Sequence, residues 1–490
     1  MKPHHHGDVR APSVFGHLSN ELRIFPTPWH RYVHGLGLGQ APAGFHARKA
    51  ERLLETSRVV GQVTGSPYHT CAHHLLQGIM ASCEAMSGNG GGARPSGQPY
   101  FASAVAQLAQ LSDPWQYGRA CALLIESLVK LGQLDAHQQA LHQHVQVALK
   151  QVEALSPTTD KDRYERLQLF GNLMIAAGQA SWTDLLTSPQ EDGSTSIETA
   201  LQGIDTISEV FYRGRGAAML FTALGIIGCG AHICEGPQDH LRRQLEVFDT
   251  QLTQTTMEDR EAYHDPVHSF ADTFIFPLSL TLNAIAVLGR TEYAHDKRNW
   301  IEEAVSLFHI LPPPSQASQV MFYVGALSNL GVLDQHVPDL ATLLQDCMDG
   351  YLQSTDGTQV DDYLRCTYLV HLAWQIERWD ILKPRVWAIL TASLPRIAGS
   401  DLYRQSPYGS SYMVAAYTLS ALDIGDRFEA LFGEEINLLG AIGRFKEDAT
   451  ATVMTLPRLD FALIDTALRM RPANMGDTAL FRSLHLGRSG

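Results

Sequence analysis

Charge is scarce in this chain. Asp, Glu, Lys and Arg make up 18% of its 490 residues, and the 37 basic ones nowhere gather into a cluster. Phosphate backbones and anionic membrane surfaces are held by grouped Lys and Arg that displace counterions, so a net charge of −14 argues against a nucleic-acid partner. Cysteines number seven, an odd count scattered through apolar segments rather than spaced as a disulfide framework, and a reducing, cytoplasmic setting is expected. Apolar runs of bilayer length, about 20 residues, are missing. The longest candidates, 217–234 and 273–289, are broken by Gly, Thr, Ser, Asn or Pro and read as buried helices, so no membrane insertion is expected. The opening MKPHHHGDVRAP has no apolar core of a secretory signal. Catalytic signatures are missing as well: no Walker A loop, no strand leading into G-x-G-x-x-G, no G-x-S-x-G elbow and no H-E-x-x-H helix. No cofactor is expected.

Sustained apolar–polar alternation with hairpin turns is also wanting, which leaves little room for sheet, while 45% hydrophobic residues supply ample core. The fold class is all-α. At 490 residues the chain exceeds the roughly 250–300 that one compact core holds, so it is multidomain or repetitive. The prolines decide for repetition. Ser66-Pro67-Tyr68, Asp113-Pro114-Trp115, Asp265-Pro266-Val267 and Ser406-Pro407-Tyr408 share one design: a small polar residue that accepts an orphan amide, then proline at the first helical position. The four prolines lie 47, 152 and 141 residues apart, close to one, three and three units of about 48 residues. That register predicts further starts near residues 163, 212, 315, 361 and 457, making nine units.

Each start leads into a helix apolar almost all round, such as Arg119 to Gly132, and therefore packed on every side. Gly132, Gly178, Gly228, Gly289, Gly331 and Gly425 mark its end, where a left-handed cap is favoured. A more polar helix follows, for example Ala136 to Leu155. The unit is thus a hairpin of one inner and one outer helix. This pattern, with the turn LGQLDAHQQAL, resembles the α-solenoid repeats of the TPR and HEAT classes over residues 60–475. The resemblance implies a superhelix with a concave binding surface. Residues 1–60 form an irregular His/Pro/Gly-rich segment, 61–475 the helical repeat domain with a flexible insertion at 87–99, and 476–490 a tail.

EAYHDPVHSFAD, Glu261 to Asp272, is the densest polar cluster. His268 and Asp272 fall one helical turn apart and share a face, and with His264 they are the candidates for proton transfer. In the competing reading Asp265 is a helix cap and the cluster is packing. The interval from the start near 212 to Pro266 is 54, longer than its neighbours, and Pro277 falls inside the inner helix, so this unit departs from the array. His69 and His73 stand at i and i+4, but zinc needs three or four ligands and no third is evident, so no metal is assigned. Cys229, His232 and Cys234 are read as the turn ending an inner helix. Aromatic and basic residues recur at the starts: Tyr68 and His69, Tyr117 and Arg119, Tyr164 and Arg166, Tyr212 and Arg215, Tyr363 and Arg365, and Tyr408. Lined along one rim they suit a protein or peptide, or an anionic ligand, since Tyr and Arg dominate interface energetics; in the competing reading a feature repeated in many units is what each unit needs to pack.

Two functional readings follow. A binding scaffold presents a concave surface to a protein or peptide partner. Alternatively, the hairpins close into an α/α barrel, and acid–base groups at the inner-helix starts serve a small-molecule substrate in a lyase, isomerase or cyclase reaction. A barrel closes with about six or seven hairpins, so a count of nine favours the scaffold.

Overall fold

In the computed structural model the described residues are 65–86, 97–190, 193–235, 239–254 and 270–295, with single positions within 50–58, 307–342 and 464–468. Every element among them is helical. None of these helices is long and apolar enough to cross a membrane. The chain divides into two compact units. One holds the described residues up to Ser156, those from Leu169 to Ser196, and 464–468; the other holds Pro157–Gln168 and the described residues from Ile197 to 342.

In the first unit, α1 (Pro67–Met86) packs against α2 (Gln98–Leu108). Their crossing is set by two glycines. A Cβ on Gly78 would enter the ring of Phe101, which is fully buried, and a Cβ on Gly97 would strike the Gly78 carbonyl and the Ser82 hydroxyl. Gly97 to Pro99, counted above with the flexible insertion, are the cap and first residues of α2.

Helix α3 (Pro114–Lys130) starts as its sequence dictates. The Asp113 side chain accepts from the amides of Trp115 and Gln116, at 3.4 and 3.1 Å, and Pro114 takes the first helical position without losing a hydrogen bond. Ala120 to Leu128 are buried without a break, so this helix is enclosed on all sides. Helix α4 (Gln138–Ala154) behaves differently. It buries Leu141, Val145, Ala148, Leu149 and Val152, a single stripe at helical spacing. Each of its large apolar side chains contributes about 2 kcal/mol by leaving water. Helix α5 (Asp160–Gln179) is shared: its residues to Gln168 belong to the other unit and those from Leu169 to this one, where Leu169 fills the place a Cβ on Gly118 would occupy. A short α6 (Asp184–Thr187) follows.

In the second unit, α7 (Ser196–Asp205) is buried along one side, through Ile197, Ala200, Leu201 and Ile204. Helix α8 (Val210–Ile226) is buried on nearly every face. A four-residue α9 (Ala231–Cys234) leads to α10 (His240–Gln254), then α11 (Phe270–Leu288) and α12 (Glu292–His295). Helices α8 and α11 lie parallel, because Gly214 meets Pro277 near one end and Gly225 meets Val287 and Leu288 near the other. Pro277 sits inside α11 and supplies no amide to the carbonyl four residues earlier, and the missing side chain of Gly214 makes room for its ring.

The C-terminal ends of α3, α8 and α11 share one geometry. Gly132, Gly228 and Gly289 adopt positive φ of 64°, 75° and 69°. The amide of the next residue reaches back five positions, from Gln133 to Leu128, Cys229 to Leu224 and Arg290 to Ile285, at 2.8, 2.8 and 3.0 Å, a Schellman closure. Gly331, at 76°, closes likewise through Val332 onto Leu327. Three residues beyond each of the first three caps a short helical turn begins, at Asp135, Ala231 and Glu292. The expectation at Gly178 is corrected. Helix α5 continues through it to Gln179, and Ser181 takes the left-handed position at φ 62°, with Trp182 closing onto Ala177 at 2.8 Å and α6 again starting three residues later. A Cβ in that region costs roughly 1–2 kcal/mol, so Ser181→Gly should raise stability by about 1 kcal/mol, measured as an increased urea midpoint at unchanged slope.

Candidate functional site

Of the predicted rim residues, those in the second unit come together. Tyr164 on α5 and Phe211, Tyr212 and Arg215 on α8 share a cluster with Phe276 of α11. The Arg215 guanidinium lies 4.7, 4.8 and 4.9 Å from the ring centres of Tyr164, Phe211 and Phe276. Such contacts draw the cation to the negative ring faces. The Tyr164 and Tyr212 rings stand 5.6 Å apart, and the Tyr164 hydroxyl accepts from the buried Gln168 amide. Tyr212 and Arg215 remain half-exposed.

In the first unit the matching residues are more deeply set. Tyr117 is buried, and its hydroxyl is bonded to His144 Nδ1 at 2.7 Å, tying the start of α3 to α4. Burial, then the neighbouring Cys121 thiol, push the Tyr117 phenol well above its ordinary range, and burial lowers His144. Arg119 is half-buried. Tyr68 and His69 lie in the interior, with His69 Nε2 donating to the Ser57 carbonyl at 2.6 Å. His73 Nδ1 and the Ser57 hydroxyl share a hydrogen bond of 2.8 Å, so both imidazoles are engaged in docking the residues around Ser57 onto α1. Among the described residues no group of three or more His, Cys, Asp or Glu could hold a metal ion.

Desolvation, followed by the nearby His69, His74 and Arg58, lowers His73 to about 4. Its unfolded value is near 6.5, so the neutral ring contributes stability above that pH, and the contribution is lost as pH falls from about 6.5 towards 4. Because the ring is only partly buried, the effect between pH 7 and 5 is about 1 kcal/mol. His73→Asn keeps a partner for Ser57 without the titration, and its urea midpoints at the two pH values should lie closer together by that amount.

Cysteine chemistry is muted. Cys229 is the residue after the Gly228 cap, and burial raises both it and Cys234, the opposite of an activated thiolate. Burial, then Cys71, raise the fully enclosed Cys121. His264, His268, Tyr363, Arg365 and Tyr408 lie outside the described residues, as does the side chain of Asp272, whose backbone belongs to α11.

Three features were not foreseen. The Asp160 carboxylate, at the first residue of α5, accepts from the amides of Ser208 and Glu209 at 3.0 and 2.7 Å and from the Ser208 hydroxyl, while its other oxygen pairs with Arg163 at 2.5 Å. It thereby ties down the residues that open α8, whose own cap residue, Glu209, makes no side-chain capping bond. The Glu209 amide first, with Arg163 and Ser208, holds Asp160 below the usual carboxylate range. In the first unit an open, polar groove of about 450 Å³ is lined by Asp135, Gln138, Gln139, His142 and Gln143 at the α3–α4 turn. Near Gly214, Gln244 is buried with both ends of its amide unpaired. No family model, no curated protein and no solved structure matches the chain.

Proposed function

We propose that this protein is a helical-repeat scaffold of the α-solenoid type that binds a protein or peptide partner along the surface where its inner helices begin. The observation that carries the reading is the recurring joint between inner and outer helices. A left-handed residue at 132, 181, 228 and 289 is followed three positions later by a short helical turn, so the same device is reused at intervals of 49, 47 and 61 residues. Within the units, equivalent positions of successive inner helices meet: Gly118 and Leu169 are 51 residues apart in sequence, Tyr164 and Tyr212 48 apart, and Leu167 and Gly216 49 apart. Stacked repetition of this kind builds extended surfaces rather than a single enclosed pocket. The half-exposed Tyr212 and Arg215 supply the residue types that anchor such surfaces. All five described cysteines are free thiols, in keeping with a cytoplasmic location.

The test is capture of a partner by the tagged full chain from its own cell extract, followed by binding measurements with the purified partner. Tyr212→Ala should weaken binding by about 30-fold, as expected for a hot spot of roughly 2 kcal/mol, while the thermal melt stays within a few degrees. A native chain that retains no partner, or a Tyr212→Ala chain that binds as well as the native one, overturns the reading.

A further inference from the structure

Helix α4 presents to solvent a face almost without charge. Gln139, Gln143, Gln146, Val147 and Lys150 follow the i, i+4, i+7, i+8, i+11 spacing of one stripe and are all exposed, and Lys150 is the only charged residue among the exposed positions of the helix. Among the described residues, neither these three glutamine amides nor the Lys150 ammonium has a partner. Val147, 46% exposed, is the only exposed large apolar side chain among the described residues. At the other end of the stripe is the groove of about 450 Å³, lined by Asp135, Gln138, Gln139, His142 and Gln143. Asp135 is exposed and has no ion-pair partner among the described residues. One helix and its entry turn thus carry an acid, a base fifteen residues on, a recess near the acid and an apolar knob near the base.

A row of like charges repels its own copy, but a glutamine amide carries both donor and acceptor and is complementary to another like itself. With a net charge of −14, two copies of this chain approach at least cost where their surfaces are neutral. The order of residues along α4 supplies a register. A two-fold axis between His142 and Gln143, with the helices antiparallel, sets Asp135 opposite Lys150, Gln138 opposite Val147 and Gln139 opposite Gln146, and each pair occurs twice. Opposite charges then meet at both ends, the apolar knob enters the groove of the other copy, and the helix dipoles oppose one another. We propose that this face of α4 joins two copies of the chain in an antiparallel, isologous contact. The stripe is about 25 Å long and roughly 10 Å wide. It buries well under the roughly 800 Å² per partner of a standard interface, so the dimer is weak and reversible, with a dissociation constant of about 100 μM. The contact uses no residue of the Tyr212 surface, so either reading can fail alone.

Sedimentation equilibrium of the full chain between about 5 and about 500 μM reads the association. The weight-average mass should rise with concentration from 54.0 kDa towards twice that value. Val147→Glu should hold the chain at the monomer mass throughout, and because the position is exposed its thermal midpoint should stay within a few degrees of the native one. Asp135→Lys and Lys150→Asp should each weaken association about tenfold, since each sets like charges face to face at both ends of the contact. Mixed in equal amounts, these two chains should associate as tightly as the native one, because opposite charges meet again at both ends of the mixed pair. No change in either chain's own fold produces that rescue. A native chain that stays at 54.0 kDa overturns the proposal and leaves the face to a different occupant. A dimer that Val147→Glu leaves intact places the contact elsewhere and overturns it as well, as does a mixture of the two charge variants that is no tighter than either alone.

Discussion

Gly78→Val should destabilise the fold by about 3 kcal/mol, because the new side chain enters space already filled by a fully buried phenyl ring. Helix propensity alone predicts the opposite sign. Glycine inside a helix costs roughly 1 kcal/mol relative to alanine, so a substitution within α1 judged by its sequence should help. The decisive fact is the distance to Phe101, which seals the α1–α2 crossing from the far side of the insertion. Gly78→Ala should lose less than the valine variant, yet still unfold at lower urea than the native chain. Phe101→Leu supplies the control. Each single change lowers stability, and in the double variant Gly78→Ala/Phe101→Leu the smaller side chain opens the space that alanine needs, so the two penalties sum to more than the measured loss. Additive losses from these two neighbours would show that the helices are not in contact as described.

Asp160→Ala should cost about 2–3 kcal/mol, an effect typical of a charge-assisted hydrogen bond lost with its dependants stranded. The amides of Ser208 and Glu209 lose their acceptor, and Arg163 loses its carboxylate. Asp160→Asn, which keeps one acceptor oxygen, should fall between alanine and the native chain. The pH dependence has a definite sign. Asp160 is held below its unfolded value near 3.9, so its contribution is present above that pH and disappears as the solution is acidified through the depressed value. Urea midpoints of the native chain and Asp160→Ala should therefore converge at strongly acid pH. If instead the gap is constant, the carboxylate is not the origin of the effect.

Local chemistry was legible in the sequence wherever it acts locally. Ser66-Pro67 and Asp113-Pro114 specify the starts of α1 and α3, since a cap and its helix are adjacent in the chain. Starts inferred from the period alone, near 163 and 212, are observed at Asp160 and Val210, a shift of two or three residues that the regular spacing could not anticipate. Glycine predicted the left-handed caps at 132, 228, 289 and 331, but Ser181 shows that serine can be held there when Trp182 is buried behind it. The tie on the residues that open α8 was invisible for a plainer reason: its acceptor, Asp160, is 49 residues from Glu209. Recurrence of Tyr and Arg at the starts did find the Tyr164–Tyr212–Arg215 cluster, whereas Gln244 reads in sequence like any polar residue of an outer helix. Only its burial, and the absence of a side chain at Gly214, set it apart.

The two glycine contacts along α8 carry one more consequence. Gly214 meets Pro277, and Gly225 meets Val287 and Leu288, so α8 and α11 approach at two points, eleven residues apart on one helix and ten on the other. Two points fix a line. The pair can neither slide nor swing without driving a side chain into helix backbone, so a substitution at either glycine is felt along the whole length of both helices.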